Sequence, residues 1–260
     1  MTFTERDLFC VKNKTVLVTG GSRGIGEMIA TAFVQYGANV FISSRSSEDC
    51  ESVCSRLGGT GRISAIPADL SSISGIDDLV AKLNNETVGL DVLINNAGAT
   101  WGATIDDFPE SGWDKTLNLN LKSPFFLSQR LLPSLRHRAS RHSPARIINI
   151  ASIDGIQPPE FDTFAYSASK SGLIMLTRHM AKKLAPEQIL VNAVAPGFFP
   201  SKMTQKSLET IEEAVLESTP LGRLGEPDDI AGLTLFLASG ASSFITGACI
   251  PCDGGRSTCG

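Results

Sequence analysis

Thr15-Val-Leu-Val-Thr-Gly-Gly-Ser-Arg-Gly-Ile-Gly26 reads as an apolar strand, Thr15–Val18, running into a glycine turn, Thr19–Gly26, that opens a helix. A dinucleotide phosphate site needs this context. Gly20 permits a tight turn, Gly24 lets the backbone approach a pyrophosphate, and Gly26 allows close helix packing. The free amides at the helix start, with Ser22, Arg23 and Ile25 in the same turn, then face negative charge. The glycine spacing is G-x-x-x-G-x-G, which departs from the general G-x-G-x-x-G.

Outward from this turn, short β-branched runs alternate with longer amphipathic segments, the pattern of a parallel sheet with crossover helices. Strands are predicted at Thr15–Val18, Asn39–Ile42, Ile63–Ile66, Val92–Ile94, Arg146–Ile150, Leu190–Ala195 and Cys249–Ile250. Helices are predicted at Ile25–Tyr36, Glu48–Leu57, Ile76–Leu83, Gly112–Leu135, Ala165–Leu184, Leu208–Glu217 and Asp228–Leu237. A chain of 260 residues, 42% of them hydrophobic, fills one large core. The expected fold class is therefore α/β in a single domain, 1–260, with seven parallel strands doubly wound and helices on both faces.

Charge and composition narrow the function. A net charge of −4 gives no general nucleic-acid footprint, and no apolar run approaches the roughly 20 residues a membrane span needs. Residues Met1–Lys14 mix Glu5, Arg6 and Asp7 with isolated apolar residues and lack a signal-peptide core, so a cytoplasmic location is expected. Cys249-Ile-Pro-Cys252 has half the spacing of a zinc or redox site, with no second pair to complete it. No metal is expected. The three histidines, His137, His142 and His179, lie near arginines rather than carboxylates. Arg136, Arg138, Arg141 and Arg146 form one basic cluster, readable as a solvated helix end.

The end of the second strand selects the nicotinamide cofactor. An acid there would accept from a ribose 2′-hydroxyl and repel a 2′-phosphate. Here the strand ends Phe41-Ile-Ser-Ser-Arg45. Arg45 offers a guanidinium fork, Ser44 and Ser46 offer hydroxyls, and Arg23 faces them from the glycine turn. NADPH is expected over NADH.

The chemistry is read from Tyr166-Ser-Ala-Ser-Lys170, where helical spacing places a phenol and an ammonium on one face. A cation beside the phenol favours the phenolate and brings its proton toward a useful range. Ser152 follows the apolar run Ile147–Ile150, at the carboxyl edge where open α/β sheets bind ligands. Its hydroxyl joins that of Tyr166 in stabilising an alkoxide. Trp101, Phe161, Phe164, Phe198 and Phe199 form a candidate apolar wall, although core packing explains each one singly.

These motifs, in this order, with Asn95-Asn-Ala-Gly98 and Pro196-Gly197 between them, resemble the short-chain dehydrogenase/reductase family in its single-domain Rossmann form. Within it the chain is most similar to NADPH-dependent 3-oxoacyl-[acyl-carrier-protein] reductases of the rhamnolipid type. The shared stretches are Asn95–Gly102, Ser111–Lys115 and Ala195–Thr204. Tropinone reductase-like enzymes are second, through Ser44-Arg45.

The resemblance implies a cofactor-binding half of about 1–150 and a catalytic half of about 151–260, with a lid at about 201–219. It implies Asp69 and Leu70 at the adenine, Asn96, Ala97 and Gly98 at the adenosine ribose, and Pro196, Gly197, Phe199 and Ser201 at the carboxamide. Lys170 also holds the nicotinamide ribose, and Asn120, with Asn118 competing, positions a water leading from Lys170 to solvent. The substrate expected is a 3-oxoacyl thioester, carried by coenzyme A or by an acyl carrier protein that meets basic surface near the cleft. A cyclic, polyketide or alkaloid ketone is the alternative, and a non-redox cyclase or cofactor-binding regulator the remote one. Leu173, Leu176, Met180 and Leu184 make a helical stripe, and with the family's two-fold pairing this implies a homotetramer, with a dimer as fallback.

Overall fold

Three ladders set the frame: Thr15–Thr19 (β1) pairs in parallel with Asn39–Ser43 (β2) on one side and with Val92–Asn95 (β4) on the other, and β2 pairs with Arg62–Ala65 (β3). Ala145–Ile150 (β5), Ile189–Pro196 (β6) and Cys249–Cys252 (β7) extend the sheet, giving the order β3-β2-β1-β4-β5-β6-β7 with every pairing parallel. This computed structural model describes residues 8–59, 62–200 and 212–259. Chain direction reverses its walk across the sheet between β1 and β4, and such a switch point opens a crevice at the strands' carboxyl ends.

Alternating side chains of each strand feed two cores. Val16 and Val18 pack with Ile29 and Phe33 of Gly24–Gln35 (α1), Val53 of Ser47–Leu57 (α2) and Ile230 of Pro227–Ala238 (α7). Leu17 and Leu93 face the opposite layer, with Leu79 of Ile73–Glu86 (α3), Leu131 of the long helix 110–138 (α4) and Leu184 of Phe164–Leu184 (α5). All seven predicted strands form, with ends within two residues of expectation. The predicted helix Leu208–Glu217 is described only from 212, as a helical turn over 212–217 (α6).

Two expectations are corrected. The helix predicted over Gly112–Leu135 is not uniform: Glu110–Leu117 and Ser123–Arg138 flank a π-helical segment, Asn118–Lys122. Hydrophobic periodicity carries no mark of one wider turn, yet that turn resets the face each residue presents. Arg146, expected in an exposed basic cluster, is 2% exposed. Its guanidinium donates to Leu237 O (3.1 Å), Ser239 O (2.9 Å), Pro144 O and Ser243 Oγ (3.3 Å), capping the last turn of α7, and burial lowers its pKa to about 10. Arg136 pairs with Glu187. With Arg138 and Arg141 it sits at the amino edge of β5, across the sheet from the carboxyl-edge crevice. Within one chain this basic surface is not beside the cleft.

The stripe expected to seek a partner is largely consumed by the chain's own core. Leu173 and Leu184 are buried, Leu176 and Met180 half-buried, and the exposed large apolar residues on α5 are Phe164, at its start, and Met175.

Candidate active site

A cleft of about 760 Å³ opens at the switch point, lined from the glycine turn through Arg45, Asp69 and Gly98 to Ser152, Tyr166, Lys170 and Gly197. Its floor is the turn after β1. Gly20 adopts φ +65°, a conformation that favours glycine. Gly26 packs so tightly that a Cβ there would lie 2.2 Å from Gly20 O. Asn96 Nδ2 donates to Thr19 O (2.9 Å) and Gly20 O (3.2 Å), while the amides of Asn96 and Ala97 both donate to Thr19 Oγ1 at 3.0 Å. Asn96 therefore lines the cleft but spends its side-chain amide bracing the turn, and Ala97 and Gly98 form the open part of that wall.

At the far end, Arg23 and Arg45 are exposed, and neither forms an ion pair among the described residues. Asp69 is fixed by Ser71, whose amide (3.0 Å) and hydroxyl (2.8 Å) hold its carboxyl below the usual range, with Arg45 adding a smaller effect. Leu70 is buried beside it. The two serines differ. Ser44 Oγ donates to Ser46 O (3.1 Å) and contacts Cys50 Sγ (3.1 Å), so its proton is spent locally. Ser46 Oγ accepts from Asp49 N as the cap of α2 and keeps its own proton free to donate. An anion-facing turn and two unpaired guanidinium groups fit a dinucleotide bearing an additional phosphate.

On the catalytic side, Ser152 Oγ accepts from Asp154 N at 3.1 Å and is hydrogen-bonded to the Tyr166 hydroxyl. Burial pushes Tyr166 up to about 12, opposed by the Ser152 bond and reinforced by Asp154. This corrects the expectation that Lys170 lowers the phenol: its Nζ lies 5.5 Å from the ring centroid and donates to Ile150 O at 2.7 Å. Lys170 is 4% exposed, and burial brings it down to about 8 against a smaller contribution from Asp154.

Asn120 lies in the π segment and is fully buried. It accepts from Ala99 N (2.8 Å) and donates to Ala99 O (2.9 Å) and Ser169 Oγ (3.0 Å), tying the loop after β4 to α5. Asn118, the competing position, is half-buried. Beneath them runs a polar chain absent from the sequence reading. Asn95 Nδ2 donates to Asn149 Oδ1 (2.9 Å) and Asn149 Nδ2 to Thr177 Oγ1 (2.8 Å), linking β4, β5 and α5. The hint was available in Asn95 and Asn149, polar residues inside otherwise apolar strands.

The expected aromatic wall is divided. Trp101 rests on Gly112 beneath Lys115, whose Nζ is 5.2 Å from the indole centroid. Phe164 meets Phe108 edge-on at 5.9 Å, and Phe108 meets Trp113 at 6.3 Å, two partners the sequence reading did not name. Phe161 lies on the segment joined to Trp101's loop by Ala103 N donating to Asp162 O at 3.2 Å. Phe198 lines a neighbouring cavity of about 560 Å³, and Phe199 stands in both walls. Pro196 and Gly197 line the cleft at the end of β6. Ser201 and most of the expected lid at 201–219 fall outside the described residues.

Comparison with known proteins agrees with this geometry. The family described as short chain dehydrogenase matches residues 14–212. The rhamnolipids biosynthesis 3-oxoacyl-[acyl-carrier-protein] reductase of Pseudomonas aeruginosa is 46% identical over 249 residues, covering 95% of this chain and 97% of that protein. A 3-oxoacyl-[acyl-carrier-protein] reductase, FabG, of Thermotoga maritima is 37% identical over 94% of this chain and 98% of its own length. Among solved structures, the Pseudomonas aeruginosa RhlG/NADP active-site complex superposes with a TM-score of 0.93 at 45% identity, covering 96% of this chain and 98% of that one. A short-chain type dehydrogenase/reductase from Mycobacterium marinum superposes at 0.90 with 32% identity, covering 98% and 99%.

Proposed function

Because this chain belongs to the short-chain dehydrogenase family, we propose that it is an NADPH-dependent carbonyl reductase whose substrate is a 3-oxoacyl thioester, giving the secondary alcohol. The observation that carries the reading is the convergence of Ser152, Tyr166 and Lys170 on the cleft that also holds the glycine turn and Arg45. Its similarity to the rhamnolipid and FabG reductases supports the substrate class.

The glycine turn, Arg23, Arg45 and Ser46 hold the pyrophosphate and 2′-phosphate ends, with Asp69, Leu70, Ala97 and Gly98 along the adenosine. NADPH supplies the hydride that reduces the carbonyl carbon. Ser152 and Tyr166 aim two hydroxyls at the carbonyl oxygen, and charge developing there is stabilised by donors that need no reorientation. The Asp154 amide already occupies a lone pair of Ser152, leaving its O–H to donate. Tyr166, kept protonated by burial at neutral pH, delivers the proton to the oxygen. Lys170 has two ammonium protons beyond the one given to Ile150 O, enough for two ribose hydroxyls. Asn120 holds the loop after β4 against α5, and through it the distance between Gly98 and Lys170. Pro196, Gly197 and Phe199 line the end of the cleft that takes the nicotinamide.

We assign the chain to the cytoplasm as a homotetramer, with a dimer as fallback. Exposed Phe125, Met175 and Phe244 supply apolar surface for association. Among the described residues no helix is long and apolar enough to cross a membrane. An acyl carrier protein or coenzyme A delivers the substrate.

The test is NADPH oxidation with 3-oxoacyl thioesters on carrier protein, coenzyme A and N-acetylcysteamine, against bicyclic ketones. Thioesters are expected to lead in kcat/KM. Preference for the bicyclic ketones would overturn the substrate class, and no oxidation with any of them would leave a cofactor-binding role instead. Light scattering near 27.6 kDa from active protein would refute the oligomer.

A further inference from the structure

Arg256 stands outside the machinery above, on a turn built to present it. Asp253 accepts from the amides of Gly255 (3.0 Å) and Ser257 (2.7 Å), while Gly254 and Gly255 take φ values of +65° and +92°. Gly197 N donates to Cys252 O at 3.0 Å, which pins the turn to the cleft's edge. From there the guanidinium carbon lies 5.1 Å from the Phe198 ring centroid, and Nη1 donates to Val215 O (3.4 Å) and Ser218 Oγ.

Those acceptors are neutral, and they use only one of the three nitrogens. Among the described residues Nε and Nη2 make no hydrogen bond, although this edge of a guanidinium is the one shaped to grip an oxyanion with two parallel N–H groups. Its ion-pair partner, Glu160 Oε1, is 3.8 Å from Nη2, beyond hydrogen-bond distance, and the Glu160 side chain is 82% exposed. The Arg256 side chain is only 13% exposed. Asp154 lies within electrostatic reach of the same cation. Glu160 and Asp154 both belong to the segment between Ser152 and Tyr166, so the unspent edge lies beside the chain that carries the two hydroxyls.

We propose that Arg256 is the receptor for a carboxylate or phosphate carried by the ketone substrate, with that oxyanion taking the position Glu160 now approaches. The inference rests on the carbonyl-reductase reading and deepens it: the substrate is an anion, recognised away from the reacting carbon.

Three thioesters of one 3-oxoacyl chain separate the sources: a neutral N-acetylcysteamine thioester, the same with a terminal carboxylate on the acyl chain, and a 4′-phosphopantetheine thioester. In Arg256→Gln, kcat/KM for one charged substrate is expected to fall at least about tenfold relative to the neutral one, chiefly through KM, with Arg256→Lys recovering part of the loss. Whichever charged substrate responds identifies the group. A parallel fall for all three would reduce Arg256 to a clasp on Val215 and Ser218 and overturn the proposal, as would no change in any. If the wild-type protein reduces none of them, the thioester reading fails, and the same charged-to-neutral ratio on a plain ketone and its carboxylated counterpart decides Arg256.

Discussion

The turn after β1 and the loops around Ser152 line one cleft but are built by different means. In the turn, the donors of Asn96 and the hydroxyl of Thr19 are committed to the backbone, and Gly26 leaves no space. Across the cleft, half-buried Tyr166 and buried Lys170 are held away from their ordinary pKa values by desolvation, and Arg256 keeps donors unspent. One side is a fixed mould for a cofactor common to many reductases. The other holds ionisable groups perturbed from their ordinary state, as functional sites do.

Removing a catalytic proton should strike the second side alone. Tyr166→Phe is expected to lower turnover by about 10² to 10⁴ while NADPH still binds, as read by nucleotide fluorescence beside steady-state rates. Near-normal turnover would erase the contrast.

The cost of that perturbation is itself measurable. Lys170 falls from 10.5 to about 8 in the folded protein, equivalent to ~3 kcal/mol. The unfolded chain holds more protons between those values, so this group's contribution to stability rises with pH from about 8 to 10.5. Cofactor-free Lys170→Met is therefore expected to be more stable than wild type at pH 7, with the advantage shrinking over that window in denaturant titrations. Tyr166 contributes with opposite sign from pH 10 to about 12, where the unfolded phenol loses its proton first. A constant difference at all pH values would show that Lys170 is not strained by burial.

On the mould side, Arg45→Asp is expected to invert the kcat/KM ratio from NADPH toward NADH, because an acid repels the 2′-phosphate and accepts from the hydroxyl. An unchanged ratio would move phosphate recognition to Arg23.

The smallest effect distinguishes neighbours. Ser46→Ala removes the α2 cap, at a cost of about 1 kcal/mol in thermal stability, and weakens NADPH binding. Ser44→Ala leaves affinity within about twofold, since a hydroxyl whose proton goes to Ser46 O adds little to ligand binding. Equal losses in calorimetric titrations would show that Ser44 turns to the ligand.

The mould was nearly all legible in the sequence because it is local: Gly20, Gly24 and Gly26 act within one turn, and Arg45 ends one strand. The proposed pair Tyr166 and Lys170 was legible for the same reason, one helical turn apart, and Ser152 was placed by the carboxyl edge of its strand. What escaped depends on distant partners. Arg146 looked solvated because its carbonyl acceptors at Leu237 and Ser239 lie more than ninety residues away. The bracing role of Asn96 escaped because its bonds to Thr19 and Gly20 cross from β4 to β1. The Tyr166 pKa ran opposite to expectation because pair spacing conveys proximity and not depth of burial. The π segment leaves hydrophobic spacing almost unchanged, so nothing in it announced the extra-wide turn.

The anchoring of Gly197 by Cys252 has a consequence for the order in which this enzyme is made. The phosphate turn is translated well before the strand and turn that brace Gly197 and carry Arg256, which stand more than two hundred residues later. A nascent chain stalled before β7 therefore displays a nucleotide motif without a finished catalytic wall. Competence for nucleotide and competence for reduction arrive at different moments of synthesis.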